Sequence, residues 1–246
     1  TEGHLVAQST GGMPPFVADT VGTAVRDGLK IYGRERLFEG DVVVCNHAAV
    51  QGQHLTNTVM YTPIYAGPVT TALIGFFAIN VHWIDIGGVP NGHTTDIFME
   101  GLQLRSIKLW SKGEPIEEVY RIIENNTRLP VDLMGDISAQ LAGCFLGRDL
   151  TIALAEKYGI ATFNTAIAII LDQAEDAARV AIRAIPDGVY ETETCLDNDT
   201  ITTDPVPIKV RVTIAGDEMT VDFTEISEQR PGNINSGYFG GGMTAA

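Results

Sequence analysis

The sequence is poor in basic residues and in cysteine. The first shortage argues against a nucleic-acid-binding protein, and the second argues against a disulfide-rich one. Lys and Arg together number 16 against 31 Asp and Glu, which leaves a net charge of −15. Nucleic-acid binding relies on clustered Lys and Arg, so we expect no nucleic-acid partner. The 3 cysteines, Cys45, Cys144 and Cys195, are widely spaced without a CxxC pair. This argues against a disulfide framework and favours a reducing cytoplasm.

Long apolar runs and several standard motifs are also missing. The stretch from Leu73 to Val81 contains Asn80 and is too short for a membrane span. No basic region followed by an apolar block marks a secretion signal, so we expect a protein without membrane attachment. Neither GxSxG nor a P-loop is present. The chain begins without Met, at TEGHLVAQSTGG, and we interpret it as a fragment of a longer polypeptide.

Hydrophobic patterns predict an α+β fold in three parts. The first part, residues 1–128, contains a helix over 13–33 and three β-rich runs over 42–45, 56–66 and 71–83, which predict a mixed or antiparallel sheet. The second part, 129–186, is helical. The third part, 187–246, is rich in β-hairpins, because Ile208, Val210 and Val212 alternate with polar residues before an AGDE turn.

The helical middle contains the strongest burial signal. The segment 162–185 is apolar nearly all round in its first half, a pattern typical of a helix buried in a core. We therefore expect this helix to be deeply buried.

Histidine clustering is the most informative chemical feature. The chain has 5 histidines, namely His4, His47, His54, His82 and His93. Four of them lie between residues 45 and 100, together with Asp85, Asp96 and Glu100. Imidazole and carboxylate groups that converge in this way are typical ligands of Mn²⁺, Zn²⁺ or Fe²⁺.

The segment NVHWIDIGG places His82 and Asp85 three residues apart, before Gly87 and Gly88. On a regular strand the two side chains would point to opposite faces, but the glycines predict a turn that lets both meet one ion. His93 would then complete a site with two imidazoles and one carboxylate. The alternative is a strand-end histidine, with Asp85 capping a turn and His93 solvated.

His54 precedes an apolar strand and is a candidate ligand or general acid–base group. His47 follows Asn46 at a strand end. We interpret this pair either as part of a pocket or as turn chemistry with a histidine on the surface.

Several segments together resemble the hydantoinase B/oxoprolinase family. They are GDVVVCNHAAVQGQHLTNTVMYTPIY, VHWIDIGG, TTDIFMEGLQLRSIKLW, YRIIENNTRLP, GDISAQLAGC and MTVDFTEISEQRPGNINSG. Hydantoinase-type members carry an NDP…GGTHLPD pattern after the first strand. Here His54 is retained, while His47 and Asn57 stand where two family aspartates would be. These departures resemble the α subunits of acetone carboxylases.

This resemblance implies the metal-containing subunit of an ATP-dependent ligase that carboxylates acetone with bicarbonate to acetoacetate through phosphorylated intermediates. It implies a manganese ion bound by His82, Asp85 and His93, with His54 as the catalytic acid–base group. ATP and Mg²⁺ are expected on a partner subunit of a cytoplasmic hetero-oligomer with β and γ subunits. The alternatives are a hydantoinase- or oxoprolinase-type subunit that hydrolyses cyclic amides with ATP, and a scaffold module without chemistry.

Overall fold

A five-stranded antiparallel sheet organises the first part of the chain, in the order β3-β2-β1-β4-β5. The computed structural model describes residues 1–8, 19–67, 72–89 and 94–235. The chain divides into two units, one made mainly of residues 1–92 and 97–164 and the other mainly of residues 165–235. The predicted boundaries after residues 128 and 186 stay predictions.

The strands of the first unit agree with the predicted apolar runs. They are β1 (Val42–Cys45), β2 (Asn57–Ala66), β3 (Ala72–His82), β4 (Ile107–Ser111) and β5 (Glu114–Pro115). β1 is apolar throughout because its side chains enter two cores in alternation. Val42 and Val44 lie in one hydrophobic cluster, whereas Val43 and Cys45 lie in another.

A helix packs on each face of this sheet. On one face is α1 (Thr20–Tyr32), whose Ala24 and Val25 join the cluster of Val43 and Cys45. The predicted helix began at residue 13, but 13–18 lie outside the described residues. The helix ends at Gly33, whose φ of 65° ends the helical path and whose N–H donates to the Leu29 carbonyl.

The opposite face is covered by α4 (Pro130–Tyr158), with Leu133, Ile137 and Cys144 in the cluster of Val42 and Val44. Two shorter helices are α2 (Ala48–Gln51) and α3 (Glu117–Glu124). The 3₁₀ turns Arg34–Arg36 and Ile97–Met99 complete the helical elements described in this unit.

The helix predicted over 162–185 is present as α5 (Ile160–Arg183), but the expectation of deep burial is wrong. None of its residues is buried, and Ile169, Ile170 and Val180 are 48%, 44% and 61% exposed. Composition reports which side chains favour burial, not whether the remaining structure covers them. No single helix among the described residues is long and apolar enough to cross a membrane. α4 and α5 pass that test only as a pair bent by 109°.

The second unit contains a three-stranded antiparallel sheet in the order β6-β7-β8. Its strands are β6 (Gly188–Leu196), β7 (Val206–Ala215) and β8 (Glu218–Asp222). The predicted hairpin turn lies at Gly216, whose φ is 64°. Antiparallel sheets before and after a helical middle confirm the predicted α+β fold.

Candidate functional site

The pairing of β2 with β3 brings two of the predicted site histidines together. Asn57 at the start of β2 pairs with His82 at the end of β3, so the residues just before β2 lie beside His82. The rings of His54 and His82 meet edge to face, with 5.2 Å between their centroids. Both residues are exposed overall, so the pair lies at the surface of this unit.

Polar neighbours orient this histidine pair. The Thr56 hydroxyl lies 3.0 Å from His82 Nε2. Glu100 approaches from another loop, and its Oε2 accepts a hydrogen bond of 3.2 Å from the Leu55 N–H. Burial and the neighbouring His82 lower the pKa of His54, while Glu100 partly opposes that shift. His54 is therefore mainly neutral near pH 7, the form in which an imidazole accepts a proton.

Glycines set the position of Glu100. The Gly88 backbone has a φ of 76°, and a Cβ atom there would lie 2.5 Å from the Glu100 carbonyl carbon. A Cβ on Gly101 would lie 2.5 Å from the Ile86 carbonyl oxygen. The Leu102 N–H also donates to that oxygen at 2.9 Å. The loop after His82 thus packs directly against the backbone that carries Glu100.

Two buried amides hold these loops in place. The Asn46 side chain donates to the Leu55 and Leu102 carbonyls at 2.7 and 2.9 Å and accepts from the Leu104 N–H at 2.6 Å. This ties both loops of the site to the end of β1.

Gln140 on α4 accepts a 2.9 Å hydrogen bond from the Trp83 indole and donates to the Thr58 and Ile79 carbonyls. It therefore fixes the chain just beyond His82. Sequence reasoning missed the role of Gln140. The only available signal was a polar residue on the otherwise apolar face of a predicted helix.

Asp85 is bound by the residues just before α4. Its carboxylate accepts hydrogen bonds from the Thr127 hydroxyl at 3.1 Å, from the Arg128 backbone N–H, and from the Arg128 guanidinium at 2.6 Å. Burial raises the pKa of Asp85, but these hydrogen bonds outweigh it, so the pKa lies below its ordinary value. Asp85 is therefore ionised and occupied by donors.

The predicted metal ligands are only partly described. The His82 ring contacts the His54 ring, the Asp85 carboxylate binds Thr127 and Arg128, and His93 lies outside the described residues. Within 1–8, 19–67, 72–89 and 94–235, no group of three or more His, Cys, Asp or Glu side chains could hold a metal ion. The described residues alone do not form a metal site; because His93 lies outside them, the set His82, Asp85 and His93 stays a prediction.

His47 belongs to a separate polar group on the α1 side of the sheet. Asp27 is 6% exposed and binds the Arg105 guanidinium at 2.8 Å and the Ser106 hydroxyl at 2.7 Å. Burial and the charge of Arg105 lower the pKa of His47, and Asp27 opposes them. The Nδ1 atom of His47 is buried without a hydrogen-bond partner. His47 is thus neutral and is only partly solvated.

Comparison with known proteins identifies the relatives of this chain. The family model for Hydantoinase B/oxoprolinase matches residues 1–245. The caprolactamase β subunit of Pseudomonas jessenii is 33% identical over 82% of this chain and 35% of its own length. The 5-oxoprolinase 1 of Arabidopsis thaliana is 28% identical over 96% of this chain and 20% of its own length. The chain thus spans only about a fifth to a third of the length of these curated relatives.

Two solved structures share the fold. The ATP-dependent caprolactamase from Pseudomonas jessenii superposes with a TM-score of 0.85 and 30% identity, over 95% of this chain and 40% of its own. The nucleotide-free structure of acetone carboxylase superposes with a TM-score of 0.75 and 18% identity, over 85% of this chain and 30% of its own. At that identity the second likeness concerns the fold alone.

Proposed function

This chain belongs to the hydantoinase B/oxoprolinase family, and from that premise we propose that it is part of a subunit of an ATP-dependent enzyme that opens cyclic amides. The observation that carries the proposal is the likeness to the ATP-dependent caprolactamase over 95% of the chain at 30% identity. A lactam is a cyclic amide, and hydantoin and 5-oxoproline also contain an amide within a ring. We therefore propose this substrate class in place of a ketone.

In this proposal His54 is the acid–base group. Hydrolysis of an amide requires a base that takes a proton from the attacking water and an acid that returns one to the departing nitrogen. A neutral imidazole beside a second imidazole and near a carboxylate can do both in turn. Such a group contributes about 10²–10⁴-fold to the rate.

ATP, with Mg²⁺, is proposed on a partner subunit, because the sequence contains no P-loop and the caprolactamase relative is named as one subunit of its enzyme. Phosphorylation of the amide oxygen would make the ring carbon easier for water to attack. Departure of the protonated ring nitrogen from that adduct would break the C–N bond and leave an acyl phosphate, which a second water hydrolyses to carboxylate and phosphate. Manganese stays a prediction from the resemblance, and no step here depends on it. Metal analysis of the purified protein, with His82→Ala beside it, tests the prediction directly.

The second candidate function is carboxylation of acetone by bicarbonate, with partner β and γ subunits. One observation favours it: His47 and Asn57 stand where hydantoinase-type members of the family carry aspartates. The shared fold with acetone carboxylase is compatible with this candidate but does not choose between the two.

The test uses the subunit that contains this chain, assembled with its ATP-dependent partner. ADP release is measured with caprolactam, hydantoin or 5-oxoproline, and separately with acetone plus bicarbonate. We expect cyclic amides to stimulate ADP release and to yield the ring-opened product. Stimulation by acetone and bicarbonate alone, with acetoacetate as product, would support the second candidate and contradict the first.

The matched variants are His54→Ala and His4→Ala. His4 is an exposed histidine whose described contact is an ion pair with Glu2, so its loss is expected to leave the rate unchanged. Loss of His54 is expected to lower kcat by about 10²–10⁴-fold. Full activity of both His54→Ala and His82→Ala would instead identify the chain as a scaffold without chemistry.

A further inference from the structure

Arg128 connects the loop of the site to the start of α4. Its guanidinium donates to Asp85 Oδ1 at 2.6 Å, to the Gly87 carbonyl at 3.4 Å and to the Gly88 carbonyl. Its backbone N–H donates to the other oxygen of Asp85. One residue thus holds three successive parts of the turn that follows His82.

The environment makes this connection stronger than a surface ion pair. The Asp85 side chain is 13% exposed, whereas the Arg128 side chain is 50% exposed. A charged donor to a largely buried carboxylate forms short, strong hydrogen bonds, and the planar guanidinium reaches several acceptors at once. The Asn126 carbonyl adds contact, since a Cβ on Gly87 would lie 2.8 Å from its oxygen.

The turn that contains Gly87 and Gly88 also determines the position of Glu100. Gly88 packs against the backbone of Met99 and Glu100, and the Val89 N–H donates to the Met99 carbonyl at 2.9 Å. Glu100 then reaches the Leu55 N–H, next to His54. Movement of the turn would therefore shift Glu100 relative to both histidines.

We propose that Arg128 is a positioning residue of this site, acting through Asp85 and the Gly87 and Gly88 carbonyls to hold Glu100 beside His54 and His82. That this region is the functional site rests on the proposed function, but the contacts from Arg128 through the turn to Glu100 do not. Asp85 has the same positioning role, because its carboxylate is the main hydrogen-bond acceptor of the guanidinium.

Hydrogen exchange of the protein without substrate tests the connection, using Arg128→Gln, Asp85→Asn and the double variant. We expect each single change to accelerate amide exchange over residues 84–89 and 99–102 by about tenfold or more, because local opening becomes easier. The double variant should exchange at the rate of the single variants, since each single substitution already removes the same Arg128–Asp85 interaction. The matched control is Arg121→Gln, because the described side-chain contact of Arg121 is an exposed ion pair with Glu118 within α3.

Two further measurements separate positioning from general stability. Arg128→Lys keeps the positive charge but loses the planar guanidinium that reaches several acceptors. Its amides should therefore be protected from exchange better than those of Arg128→Gln but less well than those of the parent protein. In the assembled enzyme Arg128→Gln should lower kcat by about 10²-fold, as expected when catalytic groups are misplaced by about 1 Å, with KM for ATP unchanged. Unchanged exchange, additive effects in the double variant, or an unchanged kcat would each overturn the proposal. The exchange result stands even if cyclic amides prove not to be substrates.

Discussion

The two sheets of this chain differ most in how much of each strand is covered. In β1 all four residues are buried, and β2 is buried along nearly its whole length. In β6 no residue is buried, and Val189 and Tyr190 are 61% and 45% exposed. A strand covered on both faces has a continuous apolar sequence, whereas alternation as in β7 marks a strand that is at most half covered. The sequence pattern therefore reports coverage as well as strand position.

Aromatic residues give the largest expected contrast between the two sheets. Trp83 is fully buried beside the five-stranded sheet, and its indole binds Gln140. We expect Trp83→Ala to lower the free energy of unfolding by about 3–5 kcal/mol, because it leaves a cavity and an unpaired amide. The measurement is urea unfolding followed by circular dichroism.

Tyr190→Ala on exposed β6 is the matched change. It should cost about 1 kcal/mol or less, as surface substitutions usually do. Equal losses in the two variants would contradict the contrast in coverage.

Acid pH should separate the carboxylates of the two units. Burial raises the pKa of Asp27, but Arg105 and Ser106 outweigh that effect and the pKa lies below its ordinary value of 3.8. A carboxyl whose folded pKa is lowered stabilises the fold above its unfolded pKa and loses that contribution as pH falls through the folded value. We expect Asp27→Asn to be less stable than the parent protein at pH 6, and the difference in stability to narrow as the pH is lowered below 3.8.

The control for this titration is Asp222→Asn in β8. The Asp222 side chain is 34% exposed; its carboxylate accepts a 2.8 Å hydrogen bond from the Thr224 N–H, and its ion pair with Arg211 spans 4.0 Å. Screening by solvent should make the pH-dependent difference small. A gap between Asp27→Asn and the parent that widens below pH 4 would show that the sign of the Asp27 contribution is wrong.

The smallest expected effect is that of Val189→Thr, which should change the free energy of unfolding by no more than about 0.5 kcal/mol. Val189 is 61% exposed, so the added hydroxyl stays hydrated. The same change at fully buried Val43 should cost about 1–3 kcal/mol, since the hydroxyl loses water without a designed partner. Chemical denaturation of both variants makes the comparison, and similar values would mean that β6 is covered in solution.

Strand positions could be predicted because local patterns encode them. The runs at 42–45, 56–66 and 71–83 correspond to β1, β2 and β3 within one residue. The existence of the helices could be predicted as well, and α5 lies within two residues of the predicted limits 162 and 185. The exposure of α5 could not be predicted, because burial of an apolar helix depends on which other parts of the chain cover it.

The site was predictable only in part, for a related reason. The sequence placed His54 and His82 in one histidine-rich span, but their contact depends on the register that pairs Asn57 with His82. The partner of Asp85 is Arg128, 43 positions away, and no local spacing indicates it. Glu100 was noticed as one of several acids, and only the packing of Gly88 and Gly101 shows why it lies near the histidines.

For protein engineering, the close approach of Gly88 and Gly101 to neighbouring backbone separates what can be redesigned from what cannot. Even a methyl group at either position would lie within 2.6 Å of main-chain atoms, and both backbones have a positive φ. These contacts are made by main-chain atoms, so they do not depend on the side chains of the histidine pair. A library that randomised the two glycines would therefore sample mainly misfolded loops, whereas one that left them unchanged would keep this backbone contact.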